Sequence, residues 1–271
     1  MTFPTPSSQP PDQLPRQRRF GSLRAVSALI LREMATSYGR SPGGYIWAIL
    51  EPAAGIALLS LVFAAAFRTP SLGTSFPMFY ATGMLPFVMF TDVQGKIALS
   101  LLFSKQLLTY PTVTFIDAML ARFILNVMTQ LMVGYIIIVS IMMMFETRIT
   151  PDLPVIIKAY ALAALLALGI GTLNCFLFSR FAVMQRMWSI LMRPMFLISC
   201  IFYLFETLPP QYQTYLWYNP LVHIIGLMRR GFYSTYDATY VSVPYIVGVS
   251  LVCMATGLVF LRRYHRDILH R

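Results

Sequence analysis

The sequence is poor in charge. Only 11% of its 271 residues are charged, whereas charged residues make up about a quarter of an average soluble domain. With 57% hydrophobic residues, the chain lacks the polar shell that a water-soluble domain of this size needs around its core. The composition therefore excludes a water-soluble protein, and lipid has to replace the polar shell.

Cysteine is also scarce. Cys175, Cys200 and Cys253 each lie in an apolar stretch, without a CxxC pair and without a group of histidines nearby. This pattern excludes a disulfide framework and a zinc site of the usual spacing. We interpret all three cysteines as packing residues.

The motifs of nucleotide hydrolysis and of hydrolase chemistry are missing. The phosphate-binding pattern GxxxxGK[ST] does not occur, and the Gly-Lys step at residues 95–96 is followed by isoleucine. HExxH and GxSxG do not occur, and His223, His265 and His270 are too far apart in sequence to indicate one site. We expect no cofactor, no metal site and no ATP hydrolysis by this chain alone.

Basic residues are present in excess, with a formal net charge of +11, but they are scattered in short groups between apolar stretches. A nucleic-acid partner is therefore not expected, and we interpret the basic groups as topology signals. Both termini are predicted to be cytoplasmic because basic residues cluster at both ends of the chain. These residues are Arg16, Arg18, Arg19, Arg24, Arg32 and Arg40, and then Arg262, Arg263, Arg266 and Arg271.

Long apolar runs dominate the rest of the chain. A bilayer core of about 30 Å needs about 20 apolar residues in a helix, and about six stretches meet this rule. We therefore predict an all-α membrane protein with a flexible cytoplasmic tail at 1–20 and a single membrane domain at 21–271. The predicted spans lie near 44–67, 77–102, 115–144, 153–178, 187–205 and 241–261.

Two segments are predicted to lie at the membrane without crossing it. Apolar residues recur every three or four positions in residues 21–40, which favours a helix in the membrane surface over a helix packed on a soluble partner. Residues 208–234 are interrupted by Pro209, Pro210 and Pro220 and are too broken to span. We expect re-entrant helices there, with an ordinary external loop as the alternative.

Charged residues inside the predicted spans are informative, because an Arg or Asp at a helix centre costs about 2.5 to 3.5 kcal/mol on insertion scales. Asp92 and Lys96 are spaced for an ion pair within one helix, which predicts a structural role. Arg193 has no acid beside it in sequence and is a candidate contact for an anionic substrate. The alternative is an ion pair between Arg193 and Glu51 on another span.

Four segments resemble those of type-2 ABC exporter permeases, in particular the polysaccharide-export subfamily. They are LILREMATSYGRSPGGYIWAILEP at 29–52, LLTYPTVTFIDAMLARF at 107–123, MRPMFLISCIFYLFETLP at 192–209 and YNPLVHIIGLMRRGFY at 218–233. Their order and spacing cover nearly the whole chain. One departure is Gly226, at a segment where members of the subfamily often carry an acidic residue.

The resemblance implies a half-transporter that forms a homodimer and binds two copies of a separate ATP-binding subunit, which holds ATP and magnesium. It also implies a channel lined by the first and fifth spans, although tryptophan and tyrosine near span ends are more often interface anchors. The substrate-path candidates are Tyr45, Trp47, Glu51, Trp188, Arg193 and Tyr203. Outer-gate candidates are His223, Arg229 and Arg230, and candidates for coupling to the ATPase are Lys105, Leu107, Leu108 and Tyr110.

The function implied is export of a lipid-linked, acidic capsular polysaccharide across the bacterial inner membrane, with periplasmic or outer-membrane export proteins as further partners. An O-antigen or teichoic-acid exporter is the alternative within the family. A membrane-embedded lipid-processing enzyme is the alternative from another class, and it would need a convergent acid and base pair that the loops do not contain.

Overall fold

The computed structural model describes residues 21–37, 43–104, 114–145, 147 and 149–269. These residues form α-helices, one short 3-10 helix at Phe205–Thr207 and no strand, which confirms the all-α class. The predicted tail at 1–20 lies outside the described residues. The helices are α1 Gly21–Ser37, α2 Gly44–Ala66, α3 Phe76–Ala98, α4 Ser100–Ser104, α5 Phe115–Met144, α6 Leu153–Arg180, α7 Ala182–Ile198, α8 Pro210–Leu216, α9 Pro220–Phe232 and α10 Val243–Leu269.

Helices α3 and α6 form the centre of the bundle. Helix α3 packs against α2, α5, α6 and α9, and α6 packs against α10 as well. Large apolar side chains such as Phe79, Phe90 and Leu166 are fully buried between these helices. The core of the domain therefore lies around the second and fourth predicted spans, and the helices outside this centre keep large lipid-facing surfaces.

Glycines allow the central helices to approach each other closely. A Cβ atom at Gly169 would collide with the backbone of Ser250 on α10, and one at Gly171 would lie 2.9 Å from the side chain of Ile97 on α3. These two glycines therefore lie at helix crossings, where a residue without a side chain permits close contact.

Four helices are both long and apolar enough to cross a bilayer, judged by length and composition over the described residues. Helices α3 and α7 fall outside this group: α3 carries Asp92, Gln94 and Lys96 near its end, and α7 has only 17 residues. The four helices cover Ile46–Ala66, Phe115–Met144, Leu153–Arg180 and Val243–Tyr264.

Three predicted spans have clearly different bounds in the structure. The span predicted at 241–261 is part of α10, which continues to Leu269. The span predicted at 77–102 breaks at Leu99, so that α3 ends there and the short α4 follows. The span predicted at 187–205 begins earlier, at Ala182, and its helix stops at Ile198. Cys200 follows with a positive φ of 62°, a conformation that a continuing right-handed helix cannot contain.

Local capping explains several helix starts. Thr114 and Asp117 form a reciprocal capping box at the start of α5, in which each side chain accepts a hydrogen bond from the backbone N–H of the other residue. Asp152 caps α6, and Asn219 caps α9 just before Pro220 at its first position.

Helix α1 lies against α5 and is attached to it by polar contacts. Ser22 donates a hydrogen bond to Asp117 near one end of α1. Glu33 forms an ion pair with Arg122 near the other end, with an N–O distance of 3.0 Å. Arg122 also donates to the backbone carbonyl of Lys96 at 3.1 Å. These contacts fix the predicted interface helix on the bundle.

Candidate functional site

An irregular segment and two short helices connect α7 to α10. After the turn at Cys200, the 3-10 helix and α8 lead to α9, which is buried over most of its length. Irregular backbone survives in a membrane protein only where protein or water satisfies its polar groups. The contacts of Arg229 and His223 meet this need.

Arg229, an outer-gate candidate, is only 1% exposed. Its guanidinium donates to the backbone carbonyls of Tyr203 and Ile201, both at 2.8 Å. The same group lies over the ring of Phe79, 4.3 Å from the ring centroid. The cation is therefore stabilised by carbonyl dipoles and an aromatic face, and it holds the turn after α7 against α3.

The location of Arg229 corrects the expectation that it lines a path together with Arg230. A polymer cannot reach a guanidinium that is buried between α9, α3 and the turn after α7. Arg230, the next residue, is exposed. We retain Arg230 as an outer-gate candidate and assign Arg229 to the support of the gate.

His223 is fully buried. Its Nε2 lies 2.7 Å from the carbonyl of Trp217, and its Nδ1 accepts a hydrogen bond from the backbone N–H of Ser242 at 3.2 Å. These partners require the neutral ring with the proton on Nε2. Burial accordingly lowers the pKa of His223. The residue ties α9 to the loop before α10 and does not face an open path.

A polar and aromatic cluster completes this region. The hydroxyl of Tyr236 donates to the carboxylate of Glu206 at 2.9 Å and lies 3.3 Å from the hydroxyl of Tyr240. The ring of Tyr240 stacks on Phe205 with centroids 4.1 Å apart. Burial raises the pKa of both tyrosines, so their hydroxyls stay protonated and neutral. The cluster joins the 3-10 helix to the segment between α9 and α10.

Gly226 fits the same packing. A Cβ atom at this position would collide with the hydroxyl of Tyr240. The acidic side chain that members of the subfamily often carry in this segment would therefore require Tyr240 to move. Gly226 and Tyr240 form one packing unit in this chain.

Helix α7 carries two substrate-path candidates and has no buried residue along its length. Arg193 is exposed, and no ion pair joins it to Glu51 or to any other residue that the structure describes. Trp188 is half-buried, and its indole nitrogen has no hydrogen-bond partner among the described residues. The helix thus presents an apolar surface with two exposed arginines, Arg186 and Arg193, that form no ion pair with a described residue. This combination requires another chain, lipid or water around the helix.

The remaining path candidates lie on α2 and after α7. On α2, Trp47 is 61% exposed and Glu51 is also exposed. Tyr203 is half-buried, and its backbone carbonyl is one of the two that bind Arg229. The side chain of Tyr45 and all four ATPase-coupling candidates, Lys105, Leu107, Leu108 and Tyr110, lie outside the described residues.

The predicted ion pair between Asp92 and Lys96 is wrong. Asp92 instead accepts a hydrogen bond from Gln130 on α5, with an N–O distance of 2.5 Å, and no ion pair joins it to Lys96. Asp92 on α3 thus bonds to a residue of α5 and not to Lys96 of its own helix, because the amide of Gln130 lies within hydrogen-bond distance. Over the described residues, no group of three potential metal ligands occurs.

The Glu33–Arg122 pair was not predicted from the sequence. Its members are separated by 89 positions, so no local spacing reveals it. The only indication was an arginine inside a predicted span, since a charge there requires a partner.

A family model described as ABC-2 type transporter matches residues 24–233. The chain belongs to the ABC-2 type transporter family. The match begins in α1 and ends just after α9. It includes most of the interface helix, the five long helices α2, α3, α5, α6 and α7, the short α4, and the segment from Cys200 to the end of α9, but not α10. The chain is therefore a transport subunit and not an enzyme.

Several relatives of this ABC-2 type chain are similar over nearly their full length. The chain is 31% identical to the polysialic acid transport protein KpsM of Escherichia coli over 237 residues, which cover 88% of this chain and 92% of the relative. It is 27% identical to the capsule polysaccharide export inner-membrane protein CtrC of Neisseria meningitidis and 25% identical to BexB of Haemophilus influenzae, each over 247 residues. Both of these alignments cover 90% of this chain and 92% of the relative.

Proposed function

We propose that this chain is the membrane-spanning half of an ATP-driven exporter that moves a lipid-linked, acidic capsular polysaccharide across the bacterial inner membrane. The observation that carries the proposal is similarity across about nine-tenths of the chain to three transport proteins named for polysialic acid or capsule polysaccharide. Both termini lie in the cytoplasm in this proposal, in keeping with the arginine clusters at the two ends.

The assembly is a homodimer with two ATP-binding subunits, which supply ATP and magnesium. Helix α7 forms the dimer interface in this proposal, because none of its residues is buried within the chain and its exposed side chains are available to a second copy. The segment 105–110, which contains the coupling candidates, is the proposed contact for the ATP-binding subunit. Periplasmic or outer-membrane export proteins receive the polymer on the far side.

The substrate path runs between copies of the chain along α2 and α7. Trp47 and Trp188 offer aromatic surfaces on which sugar rings can stack, and Arg193 offers an unpaired cation for sugar carboxylates. Repeated weak contacts of this kind let a polyanion cross a region of low dielectric without stalling. Arg230 makes a similar contact at the outer gate.

Complementation tests the proposal. The gene is expressed in a capsulated bacterium from which its own capsule-export permease has been deleted, together with the matching ATP-binding subunit. We expect surface polysaccharide to return, and Arg193→Gln to reduce it while the membrane level of the protein is unchanged. Arg186→Gln, an exposed arginine at the start of the same helix, is the control. The proposal fails if polymer stays inside the cell although protein and ATPase are present.

A further inference from the structure

A polar cavity of about 510 Å³ lies beneath the interface helix, on the side of the bundle formed by α1, α3, α4 and α5. Its volume falls within the range of about 300 to 1,000 Å³ that is typical of small-molecule sites. The charged side chains that line it are Arg32, Glu33, Asp92, Lys96 and Arg122. None of the proposed path residues lines this cavity.

The charges in the cavity are not balanced by one another. Glu33 and Arg122 form an ion pair at 3.0 Å, and Asp92 accepts its hydrogen bond from Gln130. Arg32 on α1 and Lys96 on α3 are both exposed, and neither forms an ion pair with another described residue. Cations therefore exceed carboxylates in the lining, and two cations from different helices converge on one space.

Exposed apolar residues either line the cavity, as Phe103 does, or are sequence neighbours of a lining residue, as Leu31 is of Arg32 and Leu102 is of Phe103. Leu31 on α1 is 67% exposed and Phe103 on α4 is 64% exposed. Leu102, beside Phe103, is also exposed. A polar cavity with surplus positive charge and exposed apolar side chains close by matches a molecule with an anionic head and hydrocarbon chains. The position is also that of a headgroup, because amphipathic helices such as α1 lie at the headgroup level.

We propose that this cavity binds the phosphodiester of an anionic bilayer glycerolipid, with Arg32 and Lys96 as its two cationic contacts. The acyl chains lie along Leu102 and Phe103. Glu33 and Arg122 position the site: their ion pair holds α1 over the cavity, and Arg122 also lies over the ring of Phe103, 4.7 Å from its centroid. The bound lipid thereby joins the interface helix to the bundle near the end of α4.

Simple attraction of basic residues to an anionic surface is the competing explanation. Non-specific attraction depends on the number of basic residues, whereas binding in the cavity depends on which basic residues line it. Arg24 provides the comparison, because it is an exposed arginine on the same helix as Arg32 and does not line the cavity.

Native mass spectrometry of the purified full-length chain, titrated with phosphatidylglycerol in detergent, tests the proposal. We expect one phosphatidylglycerol per chain to survive at the lowest lipid concentrations, and phosphatidylcholine to be retained less well. Arg32→Gln and Lys96→Gln should each weaken retention about fivefold, the effect of one basic residue beside an anionic lipid. Arg24→Gln should leave retention unchanged, and Arg32→Lys should largely preserve it.

Four outcomes overturn the proposal. The first two are equal losses of lipid in Arg24→Gln and Arg32→Gln, and equal retention of phosphatidylglycerol and phosphatidylcholine. The third is displacement of phosphatidylglycerol by inorganic phosphate, which would assign the cavity to a soluble anion. The fourth is a sugar-bearing lipid adduct found only in protein from polymer-producing cells, which would assign the cavity to the anchor of the cargo. The measurement requires neither cargo nor ATPase, so its failure is distinct from a failure of the export proposal.

Discussion

Among the described residues, no carboxylate forms an ion pair with the buried guanidinium of Arg229, and two carbonyl oxygens and one aromatic ring stabilise it instead. Arg229→Gln should destabilise the protein by roughly 1.5 to 3 kcal/mol, the range for a hydrogen bond to a charged group. Arg229→Lys should rescue it only in part, because an ammonium cannot reproduce the fork that binds two carbonyls.

Thermal unfolding in detergent and the membrane level of the protein measure this effect. Arg230→Gln is the matched control, since Arg230 is adjacent and exposed. Arg229→Gln protein of unchanged stability and reduced export would contradict the structural role and return Arg229 to the path.

His223 predicts a pH dependence. Its pKa is lowered in the folded protein, whereas the unfolded chain titrates near the ordinary value of 6.5. Below that pH the unfolded state binds more protons than the folded state, so stability falls as the pH drops and is constant above it. The rings around His223 belong to Trp217, Tyr240 and Tyr245, and none supplies a counter-charge.

The unfolding temperature should therefore fall between neutral pH and about pH 5, within the range in which histidine titrates. In His223→Gln protein the difference between the two conditions should shrink, although its stability at neutral pH is lower. An identical pH profile in both proteins would show that other groups cause the dependence.

Neighbouring arginines in this chain have opposite environments that no sequence pattern distinguishes. Arg229 and Arg230 were predicted to act together at the outer gate. In the structure Arg229 is buried and Arg230 is exposed, because Arg229 donates hydrogen bonds to two backbone carbonyls in the turn around Cys200. That turn depends on a positive φ at a non-glycine residue, which residue type does not predict. For Arg193 the sequence left a contact with an anionic substrate and an ion pair with Glu51 as alternatives, and the structure shows no ion pair between these two residues.

Helix α1 is the element whose attachment can be tested most directly. Removing either member of its ion pair with α5, by Glu33→Gln or Arg122→Gln, should loosen α1. The charge-swapped double variant should recover part of the loss, with a coupling energy of about 0.5 to 3 kcal/mol. Recovery is partial because Arg122 also binds the carbonyl of Lys96 and the ring of Phe103.

Hydrogen exchange of the α1 amides provides the measurement, and Arg24→Gln is the control. Faster exchange confined to α1 in both single variants is expected. If exchange in α1 is unaffected by either substitution, the ion pair does not hold the helix.

The existence of the helices followed from apolar run length, whereas some of their ends did not. Helix α9 begins at Pro220 after the capping Asn219, a pattern that the sequence displays directly. The break at Leu99 and the early end of α7 have no comparable pattern. Both depend on tertiary contacts, such as that of the turn after α7 with Arg229. Contacts between helices that are distant in sequence, such as that of Asp92 with Gln130, could not be predicted for the same reason.

Helix α7 predicts self-association of the protein, because a helix without a buried residue leaves most of its surface for lipid or another chain. One side of α7 packs within the chain, where the ring of Phe196 contacts that of Phe87 on α3. A photo-crosslinking amino acid at Ile190, which is 66% exposed on α7, should yield covalent dimers in membranes. The same group at Val252, which is 63% exposed on α10, should yield far fewer. Equal yields, or dimers only from Val252, would contradict a dimer formed along α7.

Transport by the purified assembly measures polysaccharide export itself. The chain and its ATP-binding subunit are reconstituted in vesicles with the ATP sites outside, and a fluorescent, acidic lipid-linked polysaccharide is supplied in the outer leaflet. We expect ATP to make the polymer resistant to an external glycosidase, with no such protection from the chain alone or with a non-hydrolysable analogue. Polymer that remains fully digestible, although the assembly hydrolyses ATP, would contradict the claim that this chain forms a polysaccharide export path.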